Sequence, residues 1–93
     1  MEIQHEQKEN KGAFFVEENG RRLAEMTYSK AGTDLIIIDH TEVSDELRGK
    51  SVGAKLVQAA VEYARANKIK ILPLCPFAKS VFDKKPEYAD VER

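Results

Sequence analysis

Between Leu35 and Leu74 the hydrophobic period changes twice, and that double change is what most limits the folds open to the chain. Leu35-Ile36-Ile37-Ile38-Asp39-His40-Thr41-Glu42-Val43 begins with a β-branched, nearly unbroken apolar run, the pattern of a strand buried on both faces. From Lys50 to Lys68 the period is helical. Val52, Leu56, Ala60 and Tyr63 form one stripe with Val57, Val61 and Ala64 beside it, a broad apolar face suited to packing on a sheet. Asn67-Lys68 ends the helix, and Ile69-Lys70-Ile71-Leu72-Pro73-Leu74 returns to strand. A strand, a crossover helix and a second strand predict a parallel pair with a right-handed connection. The class is therefore α/β.

The flanks complete the expected architecture. Asn19-Gly20, between Phe14–Glu18 and Arg22–Tyr28, is a hairpin signal because both residues tolerate the positive φ of a type I′ turn. In that register Glu18 faces Arg21. A break at Ala31-Gly32-Thr33-Asp34 leads into the Leu35 strand, and the charged segment Ile3–Lys11 is expected to add an edge strand. After the second parallel strand, Cys75-Pro76 opens a last helix with Cys75 as its N-cap, and Lys84-Lys85 before Pro86 closes it. The expectation is an antiparallel β-meander joined to a parallel strand pair, with one long and one short helix. At 93 residues this forms a single domain, 1–93, with no room for a second core.

Charge excludes one class of partner and suggests another. The net charge is −1, against the large positive excess of a nucleic-acid binder. Its distribution is uneven: residues 1–47 hold 5 Lys/Arg against 11 Asp/Glu, and residues 48–85 hold 9 against 2. A basic stretch in a near-neutral chain suits a discrete polyanion, although a solvated helix face would look the same. The apolar runs fall far short of the roughly 20 residues a membrane span needs. The N-terminus lacks the pattern of a secretory signal. With one cysteine, Cys75, no intrachain disulfide forms; both observations favour the cytoplasm. Two distant histidines and a single cysteine show no metal-ligand spacing, so no metal is expected.

The chemistry is expected at Ser44–Ala54, where a buried strand passes through Arg48, Gly49 and Lys50 into a long helix. Unpaired amides and the helix dipole there favour a phosphate, and Gly49 and Gly53 let the backbone approach it. Gly49 as a mere turn residue and Gly53 as a packing residue are the plainer alternatives. Gly49-Lys50-Ser51 imitates the end of a nucleotide-binding P-loop, but that motif's first glycine would fall on Ser44.

Arg48-Gly49-Lys50-Ser51-Val52-Gly53-Ala54 resembles instead the acetyl-coenzyme A loop of the GNAT acetyltransferase superfamily, [QR]-x-x-G-x-[GA], with Ser51 where the second glycine stands. Pro73-Leu74-Cys75-Pro76-Phe77-Ala78 and Pro86-Glu87-Tyr88-Ala89-Asp90 are similar to its short single-domain YjdJ-type branch. The resemblance implies a GNAT-like fold and an acetyl-CoA-dependent N-acetyltransferase acting on an amine. The coenzyme A pantetheine arm would lie between two splayed parallel strands, held by backbone near Glu42 and Val43. The pyrophosphate would rest on Arg48, Gly49, Lys50, Ser51, Val52, Gly53 and Ala54. The family's usual helical wall for the acceptor pocket finds no room before Leu35. The acceptor side is therefore open, to a large molecule or to closure by a partner subunit. A non-catalytic coenzyme A or acyl-CoA binding module is the alternative; a small protein-binding adaptor is a third.

Transfer to an amine calls for a base, a carbonyl polariser and an acid for the leaving thiolate. Phe82 stands where the family often has a tyrosine acid, and it has no proton to give. Cys75, a thiol at a helix N-cap, is the candidate replacement, as general acid or as acetyl acceptor; its alternative is a small buried residue packed beneath the loop. His40 is the second candidate, as a base or as a partner of Cys75, against a structural histidine. Alternation from Ile36 places Ile36, Ile38, His40 and Glu42 on one face and Leu35, Ile37, Asp39, Thr41 and Val43 on the other. Glu42 could serve as base through a water; His5 reads as surface.

Overall fold

The computed structural model describes residues 2–93. Five strands form one sheet in chain order: β1 (Gln4–Lys8), β2 (Lys11–Glu18), β3 (Arg21–Lys30), β4 (Leu35–Val43) and β5 (Lys70–Pro73). The first four pair antiparallel, and β5 pairs parallel to β4 after the helix α1 (Val52–Asn67); α2 (Pro76–Lys84) follows. The meander, the parallel pair and both helices are those the hydrophobic pattern predicts. Asn19 and Gly20 have φ of 53° and 79°, and Glu18 pairs with Arg21. The edge strand is shorter than expected, because Glu9, at φ 56°, turns the chain so that Lys11 already starts β2.

Both helices share one core with a single sheet face. Leu56, Val57, Ala60, Val61 and Ala64 of α1 are fully buried against Met26, Tyr28, Ile36, Ile38 and Ile71, and Ala78, Val81 and Phe82 of α2 join them. At about 1.5–3 kcal/mol per fully buried large side chain, this face supplies most of the driving force. Leu35 and Ile37 point the other way and are only half-buried, which corrects the expectation of a strand buried on both faces. On that face Arg22 lies 3.9 Å over the Phe15 ring and pairs with Glu6 at 2.7 Å.

Two further features tie the edges down. His5, on the surface as expected, is engaged there: its ring stacks on Phe14 at 4.1 Å, and its Nε2 lies 2.6 Å from the Tyr28 hydroxyl. At the other edge a C-terminal segment adds a parallel bridge from Ile71 to Glu92, and Arg65 clamps Asp90 through two bonds of 2.9 Å. That clamp answers part of the basic stretch from within the chain.

A bulge sets the direction of the second half of β4. Thr27 pairs with His40 but Tyr28 pairs with Ile38, so Asp39 is an extra residue. One inserted residue reverses every side chain that follows it. Thr41 and Val43 thereby join Ile36 and Ile38 on the helix face, whereas His40 and Glu42 move to the helix-free face. There the two sit 3.6 Å apart, with side chains 63% and 72% exposed. The predicted face assignment thus holds through Asp39 and is overturned beyond it.

Candidate active site

β4 and β5 pair only from Leu35–Lys70 to Ile38–Pro73. The carbonyl of Ile38 accepts from the Leu74 and Cys75 amides at 3.2 and 3.1 Å, and beyond it the strands part. Asp39–Val43 keeps β3 on one side and has no strand on the other. Ser44 N–H bonds the Leu23 carbonyl on β3 at 2.7 Å. By alternation Glu42 also directs its main chain to β3, and Thr41 and Val43 present theirs to the opening. Val43 is where the sequence places it; Glu42 faces elsewhere by both backbone and side chain, and Thr41 takes its place.

The strand runs into a short 3-10 turn, Asp45–Leu47, capped by Ser44, whose hydroxyl accepts from the Glu46 amide at 3.3 Å. Leu47 is buried and pins the turn to the core. Gly49 follows at φ 81° with open space around it, and Ser51, N-cap of α1, is left-handed at φ 58°, ψ 31°. That conformation is the one glycine adopts most readily, which explains physically why serine is the departure at this position. The first intrahelical bond runs from Lys55 N–H to Ser51 O at 3.1 Å. Among the described residues, the amides of Gly49, Ser51, Val52, Gly53 and Ala54 donate to no protein acceptor. Such a set of free amides at a helix start suits an anion.

A cleft of about 390 Å³ joins the opening to this loop, within the range of small-molecule sites. Thr41, Val43, Leu47, Arg48, Gly49, Ser51, Val52, Gly53, Ala54 and Phe77 line it. Arg48 is exposed and paired with Asp45 at 3.0 Å, a surface pair loose enough to yield to a ligand. Lys50 is exposed outside the lining. Gly53 is a packing residue in the first place: a Cβ there would lie 2.5 Å from Phe77 Cζ. Phe77, 40% exposed, is thus held over the start of α1 and walls the cleft. Gly49→Ala should cost about 1 kcal/mol through φ alone. A thermal melt would read this as roughly 4–8 °C.

Cys75 sits at the vertex. It is 5% exposed and is the N-cap of α2, as expected. Its Sγ lies 3.4 Å from Thr41 Oγ1. Burial pushes the thiol up, but the Thr41 hydroxyl and the amides of Ala78, Phe77 and Thr41 outweigh it, and the thiol is held below its ordinary value. His40 is not brought to this site, because the bulge turns it away. Phe82 is buried edge-on to Tyr88 at 5.9 Å, a core residue. Thr41, Leu47 and Phe77 are the lining residues that sequence reasoning passed over; only Leu47, an apolar residue inside a polar loop, carried a legible signal. Among the described residues, no three of His, Cys, Asp and Glu cluster as metal ligands would, and no helix is long and apolar enough to cross a membrane.

A family model described as GCN5-related N-acetyltransferase matches residues 13–91. The solution structure of a GCN5-like protein from Staphylococcus aureus is similar at a TM-score of 0.73 and 48% identity, over 99% of this chain and 87% of that one. A ribosomal-protein-alanine N-acetyltransferase from Brucella melitensis biovar Abortus 2308 shares the fold at a TM-score of 0.64 and 16% identity; 92% of this chain spans 64% of that one. An aminoglycoside N-acetyltransferase crystallised with CoA shares it at 0.56 and 12%, over 83% of this chain and 67% of its own. No curated protein matches the chain.

Proposed function

Because the chain belongs to the GCN5-related N-acetyltransferase family, and is accordingly an acyltransferase, we propose that it takes its acetyl group from acetyl-coenzyme A and passes it to an amine. The observation that carries this reading is the junction itself. An unpaired strand edge at Thr41 and Val43 continues, without a gap in the cleft wall, into five free amides at the start of α1. A linear amide arm ending in a diphosphate has that same order of needs: strand-like partners along its length, then an anion site at its end.

When bound, acetyl-coenzyme A supplies a thioester acyl group and a thiol leaving group. The chain's own residues divide the remaining work. Thr41 and Val43 main-chain groups hold the arm, and an amide facing the opening polarises the thioester carbonyl. Gly49, Ser51, Val52, Gly53 and Ala54 amides take the diphosphate, with Arg48 and Lys50 adding positive potential. Cys75 gives its proton to the departing sulfur, or attacks as thiolate and carries the acetyl group to the amine. Among the described residues, neither carboxylate nor imidazole lines the cleft, and Cys75 reaches it only from its buried place against Thr41. The amine therefore arrives neutral or loses its proton to water.

Titration calorimetry with coenzyme A should show binding that weakens as salt is raised. Arg48→Ala with Lys50→Ala should weaken it further. Mass spectrometry after incubation with acetyl-coenzyme A and an added amine should show the amine 42 Da heavier, the mass an acetyl group adds on replacing a hydrogen. Binding without acetylation of any amine offered would leave a carrier of coenzyme A; absence of heat would remove the reading altogether.

A further inference from the structure

We propose that Thr41 is a positioning residue for Cys75, serving the sulfur in both of its protonation states through one hydroxyl. The proposal rests on the reading of Cys75 as a reacting group. Thr41 reaches the sulfur only because the extra residue Asp39 turns it from the helix-free face to the cleft. Its Oγ1 then stands 3.4 Å from Sγ, and the thiol donates to it. A hydroxyl can reverse that bond: once the proton has passed to the leaving sulfur or to water, the Thr41 O–H rotates and donates to the thiolate. Valine has nearly the same shape and can do neither. The Thr41 amide faces the same sulfur from the open edge of β4. On the helix side the Phe77 and Ala78 amides also favour the thiolate, although Cys75 makes no side-chain cap bond to α2. The charged groups nearest in sequence do not compete, since Asp39 bonds Ser29 at 2.9 Å and His40 and Glu42 lie across the sheet.

Since Cys75 is the chain's single cysteine, its thiolate can be followed by ultraviolet absorbance as the difference from Cys75→Ala. In Thr41→Val the titration midpoint should rise by about one pH unit, the scale of one lost hydrogen bond to a charge. Thr41→Ser should restore it. In the acetyl-transfer assay kcat should fall about tenfold in Thr41→Val and recover in Thr41→Ser. A midpoint that stays at the wild-type value in folded Thr41→Val overturns the proposal, and so does a raised midpoint with unaltered kcat. If Cys75→Ala itself transfers acetyl at the wild-type rate, it is the reading of Cys75 that falls, independently of where the thiol titrates.

Discussion

Cys75→Ala is expected to lower acetyl transfer about 10²-fold or more, the usual scale for losing a positioned acid or nucleophile, while the protein still melts cooperatively and still binds coenzyme A. The expectation follows from where the sulfur stands. The loop and the open edge of β4 proposed to hold coenzyme A line the cleft, whereas Cys75 is buried against Thr41 outside that lining, so binding is expected not to depend on it. The proposed transfer step does. Sγ sits where β4 and β5 part, among hydrogen-bond donors that favour its ionised form. Alanine leaves a gap about the size of one sulfur, too small to unfold the chain. Steady-state rates, a coenzyme A titration and a melting curve on the same preparation separate the outcomes. Wild-type rates would return Cys75 to a packing role.

Gly12→Ala is the second large effect, and it falls on stability. A Cβ at position 12 would lie 2.2 Å from Tyr28 Cζ and 2.4 Å from its hydroxyl. Tyr28 is fully buried, and its ring end cannot swing aside as an exposed side chain would, because its hydroxyl is bonded to His5 and its ring is 5.7 Å from that of Phe14. Forcing a methyl into such a site costs about 1–3 kcal/mol. With roughly 4–8 °C per kcal/mol in a domain of this size, the melting temperature should fall by several to some twenty degrees. Gly20→Ala makes the useful comparison: its φ is 79° but its surroundings are open, so it pays for backbone conformation alone. A Gly12→Ala melt no lower than that of Gly20→Ala would show that the Tyr28 ring yields.

Much of the candidate site is legible in the sequence. The loop from Arg48 to Ala54 was visible because a strand, glycines, basic residues and a helical period coincide there, and Cys75 because proline follows it. His40 and Glu42 were misplaced for one reason, a bulge that alternation cannot anticipate. No residue in Asp39-His40-Thr41 announces an insertion, since the bulge exists only as an unequal pairing with β3. Phe77 over Gly53 was equally hidden, as 24 positions separate two residues that only the packing of α1 and α2 brings together.

By itself, then, the order of residues determined the elements, their sequence along the chain, the hairpin turn and the basic, glycine-containing loop before α1, because period, turn chemistry and capping are local and act over a few residues at a time. The tertiary structure alone decided which face Thr41 and His40 occupy, where β5 leaves β4, and that Thr41 and Phe77 line one cleft with Cys75 buried against Thr41. Those outcomes depend on pairing between distant strands and on the contest for a single buried face, and neither quantity is a property of any short segment.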